Sequence, residues 1–376
     1  MSDSERSIPS KKHYISLKNW SKERSAFNGQ PVYREFKFKQ SVPLVTPKGI
    51  DKELHEHFRN VADRWEKRAS KIAARVAVIE NGRIYGIKGV LLTPDNKVLK
   101  SVTKAVIENG EKRLPDPRST NQTIGVLAFK YTHNYFHWML DILPRIKLLR
   151  KSEIPIDKYL ISRPGKFPYE EMLDTLGIPK EKIIMTDENF HLKAKKMVVV
   201  DTFSGWGRYE HFYPKWACDF LRNELSACNK NNPSKKYERI YISRARADRR
   251  NVRNEDEVRK LLKEYGFRCI HLESLSHAEQ IRVFQSAQII VAPHGAALAN
   301  LVFTNPDTKL IEIFSPKYVR EYYWIISSYM KLDYYYLIGE DLQSTRRRHS
   351  RDLQEDIVIN LNSLSKLLKM ADIHKK

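Results

Sequence analysis

Ile289-Ile290-Val291-Ala292-Pro293-His294-Gly295-Ala296-Ala297-Leu298-Ala299-Asn300 is the stretch on which the fold turns. It begins with three β-branched apolar residues, the composition of a strand covered on both faces. Proline ends that run, and a glycine followed by two alanines opens a helix near Ala296. A strand that feeds a helix through small residues is the unit of an open α/β sheet, where ligands gather at the carboxyl ends of the strands. The first N–H groups of such a helix attract phosphate, by about 0.3–1 kcal/mol at an exposed site. His294 is placed to donate a hydrogen bond to a phosphate oxygen. An ordinary tight turn with a satisfied histidine explains the same residues equally well.

The alternation continues on both sides. Upstream, residues 240–242 read as a strand, and Asn254 with Glu257 three residues on opens a helix whose apolar face is Val258, Leu261, Leu262 and Tyr265. Gly266 ends that helix. A strand over 267–272 leads to a second helix, opened by the capping box Ser276-His277-Ala278-Glu279 and packed through Ile281, Val283 and Phe284. Downstream come a strand over 310–314, a helix over 318–330, a strand over 334–338 and a last helix around 361–370. Five short strands separated by helices predict a Rossmann-like domain.

The other half of the chain alternates as well: strand 124–129, helix 134–151, strand 159–161, helix 169–176, strand 182–185 and strand 196–202. This predicts a second parallel sheet covered by helices. Ahead of it two hairpins are expected, one turning at Asn81-Gly82 and one at Asp95-Asn96. Residues 51–71 suit a helix, 213–229 suit a connecting helix, and 229–236 a polar linker. Two tandem α/β domains imply a site between lobes.

Lysine and arginine number 67 against 45 acidic residues, a net charge of +22 over 376 residues. Local excess falls at residues 193–196, 244–253 and 346–348. A polyanionic neighbour is expected, whether nucleic acid, an anionic membrane or a phosphorylated small molecule. Basic residues are not interleaved with an aromatic platform, and no nucleic-acid-binding motif appears. Cys218, Cys228 and Cys269 lack the spacing of a disulfide framework or a zinc site, which points to a reducing compartment. Residues 1–20 lack the apolar core of a signal peptide, and no run reaches the ~18 apolar residues of a membrane span. A cytoplasmic protein is expected, with peripheral membrane contact through Arg320, Tyr322, Tyr323, Trp324 and Ile325, or with those residues as a buried helix face. Gly205-Trp206-Gly207 begins like a dinucleotide fingerprint, but Glu210 replaces its third glycine.

Two groups of residues carry candidate chemistry. Arg244 ends its strand at the carboxyl edge, with Arg246, Arg249 and Arg250 close behind; guanidinium groups there can clamp a diphosphate. No Asp-x-Asp sequence for a metal-bound diphosphate is present. Glu312, at the end of the next strand, can accept from ribose hydroxyls or pair with a lysine. In His133-Asn134-Tyr135-Phe136-His137-Trp138-Met139-Leu140-Asp141, the residues His133, His137 and Asp141 are four apart and are expected on one helix face. A histidine held by a carboxylate can take a proton from a hydroxyl, and Asp141 can itself be the base. Helix capping and a zinc pair compete with that reading, although a zinc-hydrolase motif needs glutamate where Asn134 stands.

Together these residues resemble glycosyltransferase family 61. The likeness rests on Asn134-Tyr135-Phe136-His137-Trp138 with Asp141, Pro144 and Arg145; on Tyr241-Ile242-Ser243-Arg244 with Arg250 and Asn254-Glu255; on Glu273-Ser274-Leu275-Ser276; on His294-Gly295-Ala296 with Leu298 and Asn300; and on Ile311-Glu312. It covers roughly residues 75–340 and is closest in kind to bacterial members of capsular polysaccharide biosynthesis. The resemblance implies a GT-B fold of two Rossmann-like domains facing across a cleft, an inverting transfer, a nucleotide-sugar donor (a UDP-sugar foremost), and neither metal nor other cofactor. It implies catalytic roles for Asp141 and His137, and acceptor-side roles for His133, Asn134, Trp138 and Arg145. On the donor side it implies Arg244, Arg250, Asn254, Glu273, His294, Gly295, Ala296, Ala297, Asn300 and Glu312, with Ala297 standing where glycine is common.

The expected organisation is an N-terminal extension over 1–70, an acceptor-side domain over 71–212, a linker helix over 213–236, a nucleotide-sugar-binding domain over 237–345 and a basic tail with a helix over 346–376. Expected partners are the donor, a glycan or lipid-linked saccharide and an anionic membrane at the inner face of the cell; nucleic acid is not expected. The competing readings are a basic nucleic-acid-binding protein, and a GT-B-like phosphorylase or epimerase.

Overall fold

The computed structural model describes residues 13–14, 16–25, 33–38, 42–69, 73–107, 113–201, 213–226, 234–340 and 356–376. Cys228, Gly205-Trp206-Gly207, the basic run 346–348 and most of the linker 229–236 lie outside the described residues. Among the described residues no helix is long and apolar enough to cross a membrane. The chain forms two compact units, Met1–Lys39 with Lys71–Glu210 and Gln40–Ser70 with His211–Lys376.

The second unit is built on a six-stranded sheet in which every pairing is parallel. Its order is Arg268–Ile270, Arg239–Ile242, Ile289–Pro293, Lys309–Phe314, Asp333–Ile338 and Lys48–Gly49. Numbered along the C-terminal half, the first five run 2-1-3-4-5, a doubly wound order. Strand 289–293 is buried at every position, as its unbroken apolar sequence requires. On one face Tyr241, Val291, Ile311 and Ile313 pack against Val258 and Leu262 of helix Glu255–Glu264 and against Leu364, Leu367 and Leu368 of helix Leu361–Met370. Ser276 and Glu279 form the expected capping box. Gly266 stops the preceding helix with φ 76°.

The sixth strand comes from far upstream. Gly49 lies against the Tyr336 ring, where a Cβ would fall 2.2 Å from a ring carbon. Helix Lys52–Ala69 follows and buries Phe58, Val61 and Trp65.

The first unit holds a nine-stranded sheet that is parallel only in part. Strands His191–Asp201, Arg118–Val126, Lys158–Ile161 and Ile183–Met185 run parallel, as expected. Ala73–Tyr85 pairs antiparallel with His191–Asp201, and Val90–Leu92 and Val98–Leu99 extend that antiparallel half. The hairpin expected at Asn81-Gly82 does not form. Strand Ala73–Tyr85 continues through both residues, because His191–Asp201 pairs along its length and Asn81 takes up φ 54° within it. The reversal falls instead at Gly86 and Gly89, both left-handed at φ 67° and 68°, where the Gly89 N–H donates to the Gly86 carbonyl at 2.9 Å. The second hairpin turns where expected, with Leu92 facing Val98 and Asn96 at φ 56°.

The helix expected over 134–151 changes pitch partway. One turn, Tyr135–His137, passes into a π-helical turn, Trp138–Ile142, before the α-helix Leu143–Lys151. Pro144 accounts for the widening: its ring would collide with the carbonyl four residues back, and it has no N–H to give.

Candidate active site

The order 2-1-3-4-5 places strands Arg239–Ile242 and Ile289–Pro293 side by side, with Ile240 opposite Ile290 and Tyr241 opposite Val291. Chain connections leave these two strands in opposite directions, so a crevice opens beyond their carboxyl ends. Arg244 follows the first strand and His294-Gly295 the second. The two segments touch: a Cβ on Gly295 would lie 1.8 Å from an Arg244 guanidinium nitrogen. Gly295 has φ −172°, open to any residue, so it is the arginine that makes the missing side chain necessary.

Arg244 is held by main-chain carbonyls, through Nε to Arg250 at 3.2 Å and a terminal nitrogen to Arg249 at 2.9 Å. Burial and the nearby Arg250 pull its pKa down to about 10, so it remains a cation that an anion would relieve. Arg250 sits at φ 56° with its guanidinium 4.5 Å from the Tyr318 ring centre, and its buried Nε has no partner among the described residues. Arg320 lies 4.6 Å from the same ring. Among the described residues none of these three arginines forms an ion pair.

His294 and Glu312 sit behind them. His294 Nδ1 is 2.5 Å from Glu312 Oε1, and Tyr334 donates its hydroxyl to Glu312 Oε2 at 2.8 Å. Burial, then Arg250, Arg244 and Arg320, push the His294 pKa well down, and burial pushes Glu312 well up. With both groups neutral the carboxyl proton lies toward Nδ1 and the imidazole N–H is on Nε2, a donor suited to an anion. Glu312 is fully buried and both its oxygens are engaged, so it orients His294 instead of reaching a ribose. The helix after Gly295 is a 3-10 helix, Ala296–Phe303, and Ala296 and Ala297 lie half-buried at its open end. At its other end Arg222 donates to the carbonyls of Val302 and Thr304.

Other expected donor residues have structural partners. Asn254 makes no side-chain cap; its amide exchanges two hydrogen bonds with the main chain of Ile359, both 2.9 Å. Asn300 is fully buried and donates to Gln280, which in turn donates to the carbonyls of Leu272 and Leu275 and so fixes the turn bearing Glu273. Glu273 lies 3.9 Å from Arg246. Tyr318 and Arg320 were not read as site residues. The rule that loops leaving parallel strands share the carboxyl edge would have found them, since they follow strand Lys309–Phe314.

In the first unit, His137 Nδ1 is 2.7 Å from Asp141 Oδ2 across the π-helical turn. Asp141 is buried, while the His137 side chain keeps 21% of its surface exposed and stacks on Tyr131 at 5.1 Å. A carboxylate at Nδ1 fixes the tautomer that leaves Nε2 free to accept a proton. Arg145 is fully buried beneath, donating from Nε to the Asp141 carbonyl at 2.9 Å. Burial pulls its pKa down to about 10 against the opposing fields of Asp141 and Asp201.

The remaining acceptor-side residues fall apart. Asn134 caps the helix by accepting from Phe136 N, and Trp138 is buried with Nε1 on the Met172 sulfur. His133 is exposed in the turn before the helix starts, so the expected shared face holds His137 and Asp141 without it.

An open parallel sheet with a cationic crevice at its switch point, and a His–Asp pair on a π-helical turn, define an α/β protein equipped for an anionic ligand and for proton transfer. Residues 135–311 match the sequence model of the family Glycosyltransferase 61. Two plant proteins share shorter segments. A beta-1,2-xylosyltransferase of Oryza sativa subsp. japonica is 42% identical over 57 residues, 15% of this chain and 11% of that protein. A beta-1,2-xylosyltransferase of Arabidopsis thaliana is 33% identical over 64 residues, 17% of this chain and 12% of that protein. The matched segments thus span about a tenth of these relatives' length.

Proposed function

We propose that the chain is an inverting, metal-independent glycosyltransferase that moves a sugar from a nucleoside diphosphate to a glycan hydroxyl. The observation that carries this reading is the convergence of Arg244 and Arg250, unpaired by any acid among the described residues, on His294-Gly295 at the sheet's switch point. In this reading the second unit holds the donor in a GT-B manner. Its arginines and first-turn N–H groups stabilise the negative charge that gathers on the leaving diphosphate, a task that needs no metal. The first unit supplies the base. His137, which keeps exposed surface, takes the proton of the acceptor hydroxyl, and buried Asp141 orients it. The acceptor oxygen bonds to the anomeric carbon from the face opposite the diphosphate, whose bonding pair leaves with it, so configuration inverts.

The names of the plant relatives make a UDP-pentose such as UDP-xylose the first donor to try. The acceptor in this reading is a cell-surface polysaccharide of the capsular kind, extended at the cytoplasmic face, where a net charge of +22 favours an anionic membrane. A thermal-shift series with UDP, other nucleoside diphosphates and their sugars tests the reading, because a ligand that binds only the folded state raises its melting temperature. A clear shift with one nucleotide-sugar, followed by transfer with an inverted anomeric signal by NMR, is the expected result. No shift with any nucleotide would overturn it.

A further inference from the structure

We propose that His57 keeps the arginines of the crevice available to an anion by holding Glu321 away from them; the inference rests on the donor reading above. The loop after strand Lys309–Phe314 carries Tyr318 and Arg320 and ends at Glu321, whose carbonyl accepts the first helical bond, from Ile325 N at 3.0 Å. Glu321 is therefore the acid next in the chain to a crevice arginine. Its side chain is only 13% exposed. A carboxylate at that depth is strongly drawn to a neighbouring guanidinium, because water screens the pair poorly. An Arg320–Glu321 pair would cancel a cation that the diphosphate needs.

Glu321 is instead engaged by a residue from far upstream. His57 Nε2 lies 2.7 Å from Glu321 Oε1. The segment that bears His57 is fastened independently of this contact. Trp324 Nε1 donates to the Val45 carbonyl at 2.7 Å, Val45 N donates to Ser328 Oγ at 3.0 Å, and the Tyr336 hydroxyl donates to the Asp51 carbonyl at 2.7 Å. The neighbouring Phe58 ring packs on Trp324 at 4.9 Å and on Tyr336 at 5.1 Å. His57 is thus a positioning residue, presented by a fixed helix to a carboxylate that would otherwise turn to the crevice.

The test uses the full chain and titration calorimetry with two probes, UDP and inorganic pyrophosphate. His57→Ala frees Glu321 and is expected to raise the Kd of both probes about tenfold, within the usual range of coupling between sites. Glu321→Gln alone binds at least as tightly as the parent. The double variant, His57→Ala with Glu321→Gln, returns to within about twofold of it, since the competing charge is gone. A packing role for His57 predicts the reverse, a double variant no better than His57→Ala, and that result overturns the proposal, as does unchanged binding in His57→Ala. Pyrophosphate binding that follows the expected pattern without any UDP binding would overturn the donor reading and leave the role of His57 standing. Failure of both probes to bind the parent chain overturns both.

Discussion

Gly295 lies directly against the guanidinium of Arg244, so closely that a methyl group at Gly295 would occupy the position of the arginine's terminal nitrogen. The backbone at Gly295 is extended and unstrained for any residue. Gly295→Ala therefore leaves the backbone unstrained and pushes the Arg244 guanidinium off the Arg249 and Arg250 carbonyls that hold it. The expected outcome is a melting temperature close to the parent's and a loss of nucleoside-diphosphate affinity of about tenfold or more, the scale of one charge-assisted hydrogen bond. Calorimetry beside thermal unfolding checks it; a destabilised variant with intact affinity would show that the contact is only packing.

The His137–Asp141 pair predicts a different split. Asp141→Asn keeps the shape of the π-helical turn but removes the carboxylate that fixes the imidazole, and His137→Ala removes the proposed base. Each is expected to lower turnover by about 10²–10⁴, the range for general-base catalysis. Donor affinity should change little, because neither residue belongs to the unit that carries the crevice. Steady-state kinetics with a donor titration separates the two effects; transfer at the parent rate in both variants would remove the pair from the chemistry.

The second unit was largely legible because its signals are local and periodic. The capping box at Ser276, the stop at Gly266 and the run 289–293 each specify their element without help from distant residues. Asn81-Gly82 misled for the opposite reason. The dipeptide permits a reversal, but the partner strand far downstream, with Ala194 opposite Gly82, decides whether one occurs. The same limit applies at the site. Spacing brought His137 to Asp141 and strand-edge position brought Arg244 to Gly295. Nothing within residues 254 or 300 shows that their amides are spent on Ile359 and Gln280. Residues 40–69 carried no readable motif, since their meaning lies in what they cover.

Trp65 measures that coverage. It is 2% exposed on helix Lys52–Ala69, with its ring 6.0 Å from that of Tyr329. Trp65→Ala leaves a large cavity that the flanking helix cannot fill and is expected to cost about 3–5 kcal/mol. Urea unfolding followed by near-UV circular dichroism reads the loss. A cost under about 1 kcal/mol would mean that the helix contributes little to the stability of the second unit.

Acid should weaken the chain through His277. This histidine is 2% exposed at the start of helix His277–Ser286, its ring 5.9 Å from that of Phe303, and burial pulls its pKa from 6.5 to about 4. Between those values the unfolded chain binds a proton that the folded chain refuses. Stability therefore rises with pH through that window, and it falls as the solution is acidified from pH 6.5 toward 4. At about 1.4 kcal/mol per unit, the full loss from this one group is about 3 kcal/mol. His277→Gln keeps a polar side chain without the titration, so its stability between pH 7 and 5 should fall less steeply than the parent's. Comparing the two slopes by urea unfolding in the same buffers cancels the contributions of His294, which acts in the same direction, and Glu312, which acts in the opposite one. Equal slopes would show that the folded chain accepts the proton at residue 277 as readily as the unfolded one.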